Sequence, residues 1–434
     1  MSKTIVLEHL ARVEGHGGIT VTLDGDAVAA VRFDIFEGAR LIEALLHGRS
    51  YEDVAHIVSR ICAICSVAHT LTSLKATENA FGIQVSAQTE LLRDLLYRGE
   101  SIESHALHLF CLAVPDYLGC PSVTALAARD PEAVRVGLRL KRLGNLIQET
   151  IGGRAVHPVN AIPGGFGKLP GIDQLIALRT GLLEGLADCE KALDLFACLP
   201  PAKFCHADTA FAALRPPKDY GYYEGDEVVL VSNGAHQVFA AAGYRALTNE
   251  KPVLHSHAKH SSCQGRPFMV GSLARLTVNS EKLDGRATAI MNRLGLRVPS
   301  GNPTDNNKAQ AVELIADVER SLAIVERLLQ NGLEEEPRPA FVPRAGTGTA
   351  VTEAPRGLLF HSYAYDDEGR IVAADVITPT ALNAASIEHH LRCAVEQSAD
   401  RDALALTNRL EMIVRAYDPC ISCSVHLVRR RHAV

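Results

Sequence analysis

The chain has 434 residues, 47% hydrophobic and 22% charged, with a formal net charge of -6. That acidic balance in an ordinary globular composition argues against nucleic acid or an anionic membrane as the main partner. No apolar run approaches the ~20 residues that cross a bilayer, and the opening MSKTIVLEHLARVEGHGG lacks the basic start and apolar core of a secretory signal, so a soluble, cytoplasmic chain is expected.

In chain order, residues 19–23 and 28–36 are β-rich, and Asp24-Gly25-Asp26 between them predicts a hairpin turn. Leu41, Ile42, Leu45 and Leu46 then recur at helical spacing. Over 89–112 the apolar residues Leu92, Leu95, Leu96, Ile102, Ala106 and Leu109 mark one face of a long helix. Further helices are expected at 131–151, 172–197, 307–329, 384–399 and 401–415. Residues 200–262 have weak periodicity and read as a peripheral excursion, and 357–377 read as a hairpin turning at 366–369. Neither an internal repeat nor a low-complexity linker occurs. The expected class is α+β, predominantly α: a central bundle of long helices with an N-terminal β hairpin region and small peripheral β elements. Residues 1–426 are taken as one domain, and 427–434 as a short basic tail.

Eleven cysteines in a long chain without a signal read as reduced thiols. Cys62 and Cys65 lie in Arg60-Ile-Cys62-Ala-Ile-Cys65-Ser-Val-Ala-His69; Cys420 and Cys423 lie in Asp418-Pro-Cys420-Ile-Ser-Cys423-Ser-Val-His426. The others, Cys111, Cys120, Cys189, Cys198, Cys205, Cys263 and Cys393, have no paired spacing and are expected to be small packing residues. A CxxC puts two sulfurs on one side of a turn, and thiolates select soft metals. Spacing alone leaves a structural four-thiolate zinc site, a redox dithiol and an iron–sulfur cluster open. A histidine follows each pair closely, His69 and His426, and could serve a neighbouring metal by hydrogen bonding to a thiolate or by ligation.

These two motifs resemble the paired signatures of nickel–iron hydrogenase large subunits, RxCxxCxxxH near the start and DPCxxCxxH at the end. The resemblance extends along the chain through Arg12-Val-Glu14-Gly-His16, Phe36-Glu37-Gly-Ala-Arg40, Gly153-Arg154-Ala-Val-His157-Pro158, Asp305-Asn-Asn-Lys-Ala-Gln310, Glu353-Ala-Pro355-Arg356-Gly357 and Pro379-Thr380-Ala-Leu-Asn383. Within the family the chain looks most like the soluble NAD(P)-linked type. The resemblance implies reversible heterolytic cleavage of dihydrogen at a nickel–iron centre whose iron carries carbon monoxide and cyanide. It implies that Cys62, Cys65, Cys420 and Cys423 all bind nickel, with Cys65 and Cys423 bridging to iron. Glu14 takes the family's proton-relay position. Arg356, oriented by Asp418, resembles the arginine above the metals, and Pro355, Thr380 and His69 are expected to line the centre, Thr380 with its hydroxyl toward a cyanide. Glu43 and His426 resemble ligands of a second cation, usually magnesium.

The partners implied are a small subunit with iron–sulfur clusters, flavin- and NAD(P)-binding and ferredoxin-like subunits, and a maturation protease cutting after His426. His157 sits where the family faces its electron-transfer partner. Three departures concern subtype and outer tuning: Ala63 between the first cysteines, Ala381-Leu382 where Thr-Trp is frequent, and Ser104 where some relatives carry aspartate. Two rival readings are a non-catalytic scaffold like that of respiratory complex I, whose members usually lack the four cysteines, and an interaction protein stabilised by zinc.

Overall fold

The computed structural model describes every residue except 1, 26, 39–40, 284, 399–401 and 426–434. Asp26 of the expected first turn, Arg40, Arg401, His426 and the 427–434 tail therefore lie outside the described residues.

Four long helices build the core: Ala87–Leu107, Pro131–Gly152, Ile172–Ala197 and Asp305–Asn331. Local chemistry sets two of their starts. The Ser86 hydroxyl accepts from the Thr89 N–H, and the Asp130 carboxylate accepts from the Ala133 N–H with Pro131 opening the first turn. Their apolar stripes bury Leu92, Leu96, Leu140, Ile147, Leu178, Leu182, Val318 and Val325 in one cluster. The first two helices cross at backbone contact, because a Cβ at Gly144 would meet Glu103 N and Gly99 O at 2.5 Å. The architecture is predominantly helical α+β, as expected.

A fifth long helix, Ser66–Phe81, has no counterpart in the sequence reading. It is buried on almost every face, so no polar stripe marks its period. The helix expected at 384–399 starts earlier, at Pro379, which opens its first turn and draws Thr380 into the helix. The segment around Leu41 shrinks to the single turn Ile42–Leu46, and the end of the 89–112 stretch becomes a π-helix, His108–Ala113.

The sheets are small. Ser2–Leu7, Gly17–Asp24 and Ala27–Ile35 form an antiparallel meander. The expected hairpin is present as Gly357–Tyr365 and Ile371–Ile377, with a third strand, Gly346–Ala354, that the sequence reading lacks. Residues 200–262 are only partly peripheral. Ala210–Arg215 is buried and starts an antiparallel run with Glu227–Ser232 and Ala235–Ala240. Tyr220 and Tyr222 reach into the core, where they donate to Glu313 and Asp317. Of the cysteines expected as packing residues, Cys120, Cys189, Cys205 and Cys263 are buried and Cys111 and Cys393 half-buried, but Cys198 is exposed. Among the described residues no helix is long and apolar enough to cross a membrane.

The crossing at Gly144 yields a prediction. Gly144→Ala gains ~1 kcal/mol of helix propensity, but its methyl would press on backbone atoms that cannot rotate away, and overpacking of that kind costs about 1–3 kcal/mol or more. The variant is expected to unfold at a lower temperature than the parent in a calorimetric scan; an equal or higher midpoint would show that the two helices can part.

Candidate metal centre

The two cysteine pairs, from opposite ends of the chain, meet. Cys62 follows the turn Ser59–Ile61 in extended conformation, and Cys65 sits at the N-cap of the Ser66–Phe81 helix. Their sulfurs thus face a helix N-terminus, where the dipole favours negative charge. Cys420 and Cys423 occupy the tight turn after the Ala403–Ala416 helix. The four sulfurs lie within 4.8 Å of one another, and none of the four residues is more than 4% exposed. Across the pairs, Cys62 Sγ is 3.5 Å from Cys420 Sγ and Cys65 Sγ is 4.0 Å from Cys423 Sγ. Cys420 and Cys423 are themselves joined as a disulfide, where reduced thiols were expected.

Titration of the first pair follows from that crowding. The thiol of Cys65 draws Cys62 down, helped by Arg356, while its bond to Cys62 and burial push Cys65 well up. A soft cation bound there would displace the protons that such buried thiols hold.

The N-terminal segment clamps the second pair. Ile421 N–H donates to Glu14 O at 2.9 Å in a parallel bridge between Glu14 and Cys420. Glu14, half-buried, lies 3.2 Å from Cys420 Sγ and accepts from Ser422 N–H at 3.1 Å and from the Ser422 hydroxyl. Gly15 permits this approach: its φ is +87°, and a Cβ would lie 2.8 Å from Ile421 Cβ and Ser422 N. Asp116 ties the same ends together from behind, pairing with Arg12 and, at 2.6 Å, with Arg415 Nε.

Above the sulfurs, Arg356 occupies the two-residue turn between Gly346–Ala354 and Gly357–Tyr365. Its Nε donates to Asp418 O at 2.6 Å and its Nη2 to Asp418 Oδ1 at 3.0 Å. Burial opposes its charge, but Asp418, Cys62 and Cys65 together hold it protonated above the usual arginine range. Nη1 of Arg356 is buried with no partner among the described residues. Asp418 has a left-handed backbone (φ 50°) and accepts from Gln310 Nε2 at 3.3 Å; Gln310 in turn meets His108 Nδ1 at 2.5 Å. The Pro355 carbonyl is held by Arg275 Nη2 at 2.9 Å. The Thr380 hydroxyl oxygen accepts from Cys420 N–H at 2.9 Å, which leaves its own proton to donate. His69, one turn along the helix from Cys65, is buried, with Nδ1 at 3.1 Å from His361 Nε2.

Glu43 is not part of this cluster. It lines a separate open cavity of about 920 Å³ with His47, Ala374, Ser422, Cys423 and Val425, and accepts from Val376 N–H at 2.9 Å. Burial raises its pKa, with Asp375 and Glu250 adding to the effect and the Val376 N–H and Lys259 opposing it. His426, its expected co-ligand, lies outside the described residues, but Val425 enters the same cavity. His157 is half-buried; its N–H donates to Ser66 Oγ and its Nδ1 meets Ser59 O, both at 3.0 Å.

Two features escaped the sequence reading. Glu100, fully buried, accepts from Val67 N–H at 2.6 Å and Ala68 N–H at 3.0 Å, capping the helix that starts at Cys65; burial pushes its carboxyl well up. Its signal was a carboxylate four residues after Leu96, on the apolar face of a predicted helix. The second is Arg275, whose guanidinium spreads over Glu313 (2.6 and 2.7 Å), Glu353 (3.0 Å) and the carbonyls of Ala354 and Pro355. No motif marks Arg275.

Four convergent cysteine sulfurs, a clamped carboxylate and an unpartnered guanidinium nitrogen suit a soft cationic centre that also carries small ligands. Comparison with known proteins agrees. The sequence pattern of the family described as nickel-dependent hydrogenase matches residues 40–142 and 217–426, and one described as HoxL-like matches 4–37. The chain is 40% identical to the alpha chain of sulfhydrogenase 1 from Pyrococcus furiosus, over 98% of each. It is 25% identical to the beta chain of the NAD-reducing hydrogenase HoxS from Cupriavidus necator, over 98% of this chain and 95% of that protein. Among solved structures, an NAD+-reducing [NiFe]-hydrogenase in the H2-reduced state superposes with a TM-score of 0.87 at 31% identity, covering 98% of this chain and 99% of the other.

Arg275 supplies the prediction here. Arg275→Met would leave Glu313 and Glu353 buried without their cation, and breaking such a pair costs about 3–5 kcal/mol. The expected result is a marked fall in the thermal midpoint of the purified complex together with loss of bound nickel, because the turn carrying Pro355 and Arg356 loses its anchor. A variant with parental midpoint and nickel content would show that the turn holds itself.

Proposed function

The chain belongs to the nickel-dependent hydrogenases, as their large, catalytic subunit, and from that premise we propose how its own residues divide the work. The observation that carries the reading is the buried sulfur quartet with the Glu14 carboxylate 3.2 Å from Cys420 Sγ. Cys62, Cys65, Cys420 and Cys423 would hold the nickel–iron centre, with Cys65 and Cys423 serving the iron as well. When bound, that centre supplies heterolytic cleavage of dihydrogen. Glu14 takes the proton from the Cys420 sulfur; its contacts to Ser422 fix the carboxylate at hydrogen-bonding distance. Arg356, its guanidinium plane held by Asp418, would offer Nη1 to small ligands of the iron, with Thr380 offering its hydroxyl proton and Pro355 lining the same turn. His69 steadies the cysteine helix beside them. A plain four-thiolate zinc site would leave Arg356 Nη1 without a partner, which disfavours that rival.

Glu43, with His426 beyond Val425, would hold a hard cation such as magnesium, an oxygen and an imidazole leaving room for water. Electrons leave to a small subunit with iron–sulfur clusters, docked near His157, and pass on through ferredoxin-like and flavin-binding subunits to NAD(P) in the cytoplasm; the NAD+-reducing structural relative supports that acceptor. A maturation protease removes 427–434 after metal loading, freeing the last segment to close.

Two outcomes follow. Cys62→Ser or Cys420→Ser exchanges a soft ligand for a hard one and is expected to abolish hydrogen turnover; full activity with nickel retained would refute the ligand assignment. Glu14→Gln preserves size without proton transfer, so metal content should stay at the parental level while hydrogen–deuterium exchange falls by orders of magnitude. Unchanged exchange would make Glu14 a purely structural clamp.

A further inference from the structure

Away from the sulfur cluster, a second group of metal-type side chains converges. His255 lies in the turn between Lys251–Val253 and Ser256–His260, His260 ends that hairpin, and Glu388 projects from the Pro379–Gln397 helix packed beneath it. One ligand atom from each lies within 4.8 Å of the others. We infer that His255, His260 and Glu388 form a second transition-metal site, specific for a borderline divalent cation of the zinc type.

Two imidazoles and one carboxylate are a ligand set that borderline metals favour and that hard magnesium does not. His255 Nε2 stands 2.7 Å from Glu388 Oε1, an oxygen that also accepts from the Phe33 N–H at 2.8 Å. That leaves Oε2, which His260 Nδ1 approaches only to 3.8 Å, beyond a hydrogen bond but suited to two ligands of one metal. The two rings meet edge to face with centroids 5.5 Å apart, so they approach the one carboxylate from two directions. His260 Nε2 is buried with no partner among the described residues, so no protein hydrogen bond explains where that ring sits. All three side chains are between 13% and 21% exposed, enough for a cation to enter and for water to complete its coordination.

The position gives the site a task. Ala258, in the middle of the hairpin, bridges to Val425 directly after the Cys420–Cys423 turn, and Glu388 holds the Ala27–Ile35 strand through Phe33. A cation there would pin hairpin, helix and N-terminal sheet into one platform under the chain that closes the sulfur cluster. It is separate from the Glu43 cavity, which none of the three residues lines.

The test uses the assembled, nickel-containing complex, so that the cysteines are already occupied. The complex is washed with EDTA, given a slight excess of zinc chloride, passed through gel filtration and analysed for zinc and nickel by mass spectrometry. The wild type is expected to retain about one zinc per nickel, and zinc should raise its thermal midpoint. Glu388→Gln with His260→Gln keeps an acceptor for the Phe33 N–H and is expected to lose at least tenfold of that zinc at unchanged nickel. Should that pair of changes impair folding, His255→Gln at the turn gives the same readout. A wild type that retains no zinc, or a nickel-replete variant that retains as much as the wild type, overturns the proposal.

Discussion

Four buried sulfurs within 4.8 Å of one another are the constraint on which the molecule turns. Without a cation, thiols packed that closely can lose few protons, because each further thiolate would sit unpaired in a low-dielectric interior. The opposite pulls on Cys62, drawn down by its neighbour, and Cys65, pushed up by that neighbour and by burial, follow from this crowding. A soft metal resolves the conflict, since it neutralises the thiolates and needs no water. The fold is therefore arranged to bring two short motifs from opposite ends of the chain together and to keep solvent out.

Rigid elements do this. The first motif is fixed by a buried helix whose N-terminus is capped by Glu100, and the second by the hydroxyl of Thr380 and the backbone of Glu14. Asp116 carries the tension between the ends, gripping Arg12 from the N-terminal segment and Arg415 from the last helix. Arg275 anchors the turn that holds Arg356 over the sulfurs. Each of these contacts spans elements distant in sequence, so the site is a property of the whole core and not of its motifs. The two sides of the Cys423 turn differ: the sulfur side is closed, whereas the Glu43 side opens on a large cavity.

Several helices legible in the sequence keep one wet face. Ile172–Ala197 and Pro131–Gly152 show a clear apolar stripe, and Asp130 and Pro131 announce a start. Ser66–Phe81 was not legible because burial on all sides erases periodicity, and its serines and threonines turn inward to bond the preceding turn, as Thr70 does with Ser66 O at 2.8 Å. The same asymmetry holds at the site. Cysteine spacing and the flanking Asp418 and Arg356 were readable because their chemistry is local to a motif. Glu100 and Arg275 act across the core, and only a charge on an apolar face hints at the first. Ser422 was readable only as a spacer between two cysteines, although it bonds Glu14 through both its N–H and its hydroxyl.

The central claim is that the sulfur quartet holds nickel and iron together, with small anionic ligands beneath Arg356. Metal analysis of the purified complex combined with infrared spectroscopy of the same sample addresses it most directly. The account predicts nickel, with one iron per nickel beyond what the iron–sulfur clusters hold, together with stretching bands of carbonyl and cyanide that shift when Arg356 is replaced by lysine. Zinc in place of nickel, or a metal-replete complex without those bands, would contradict it.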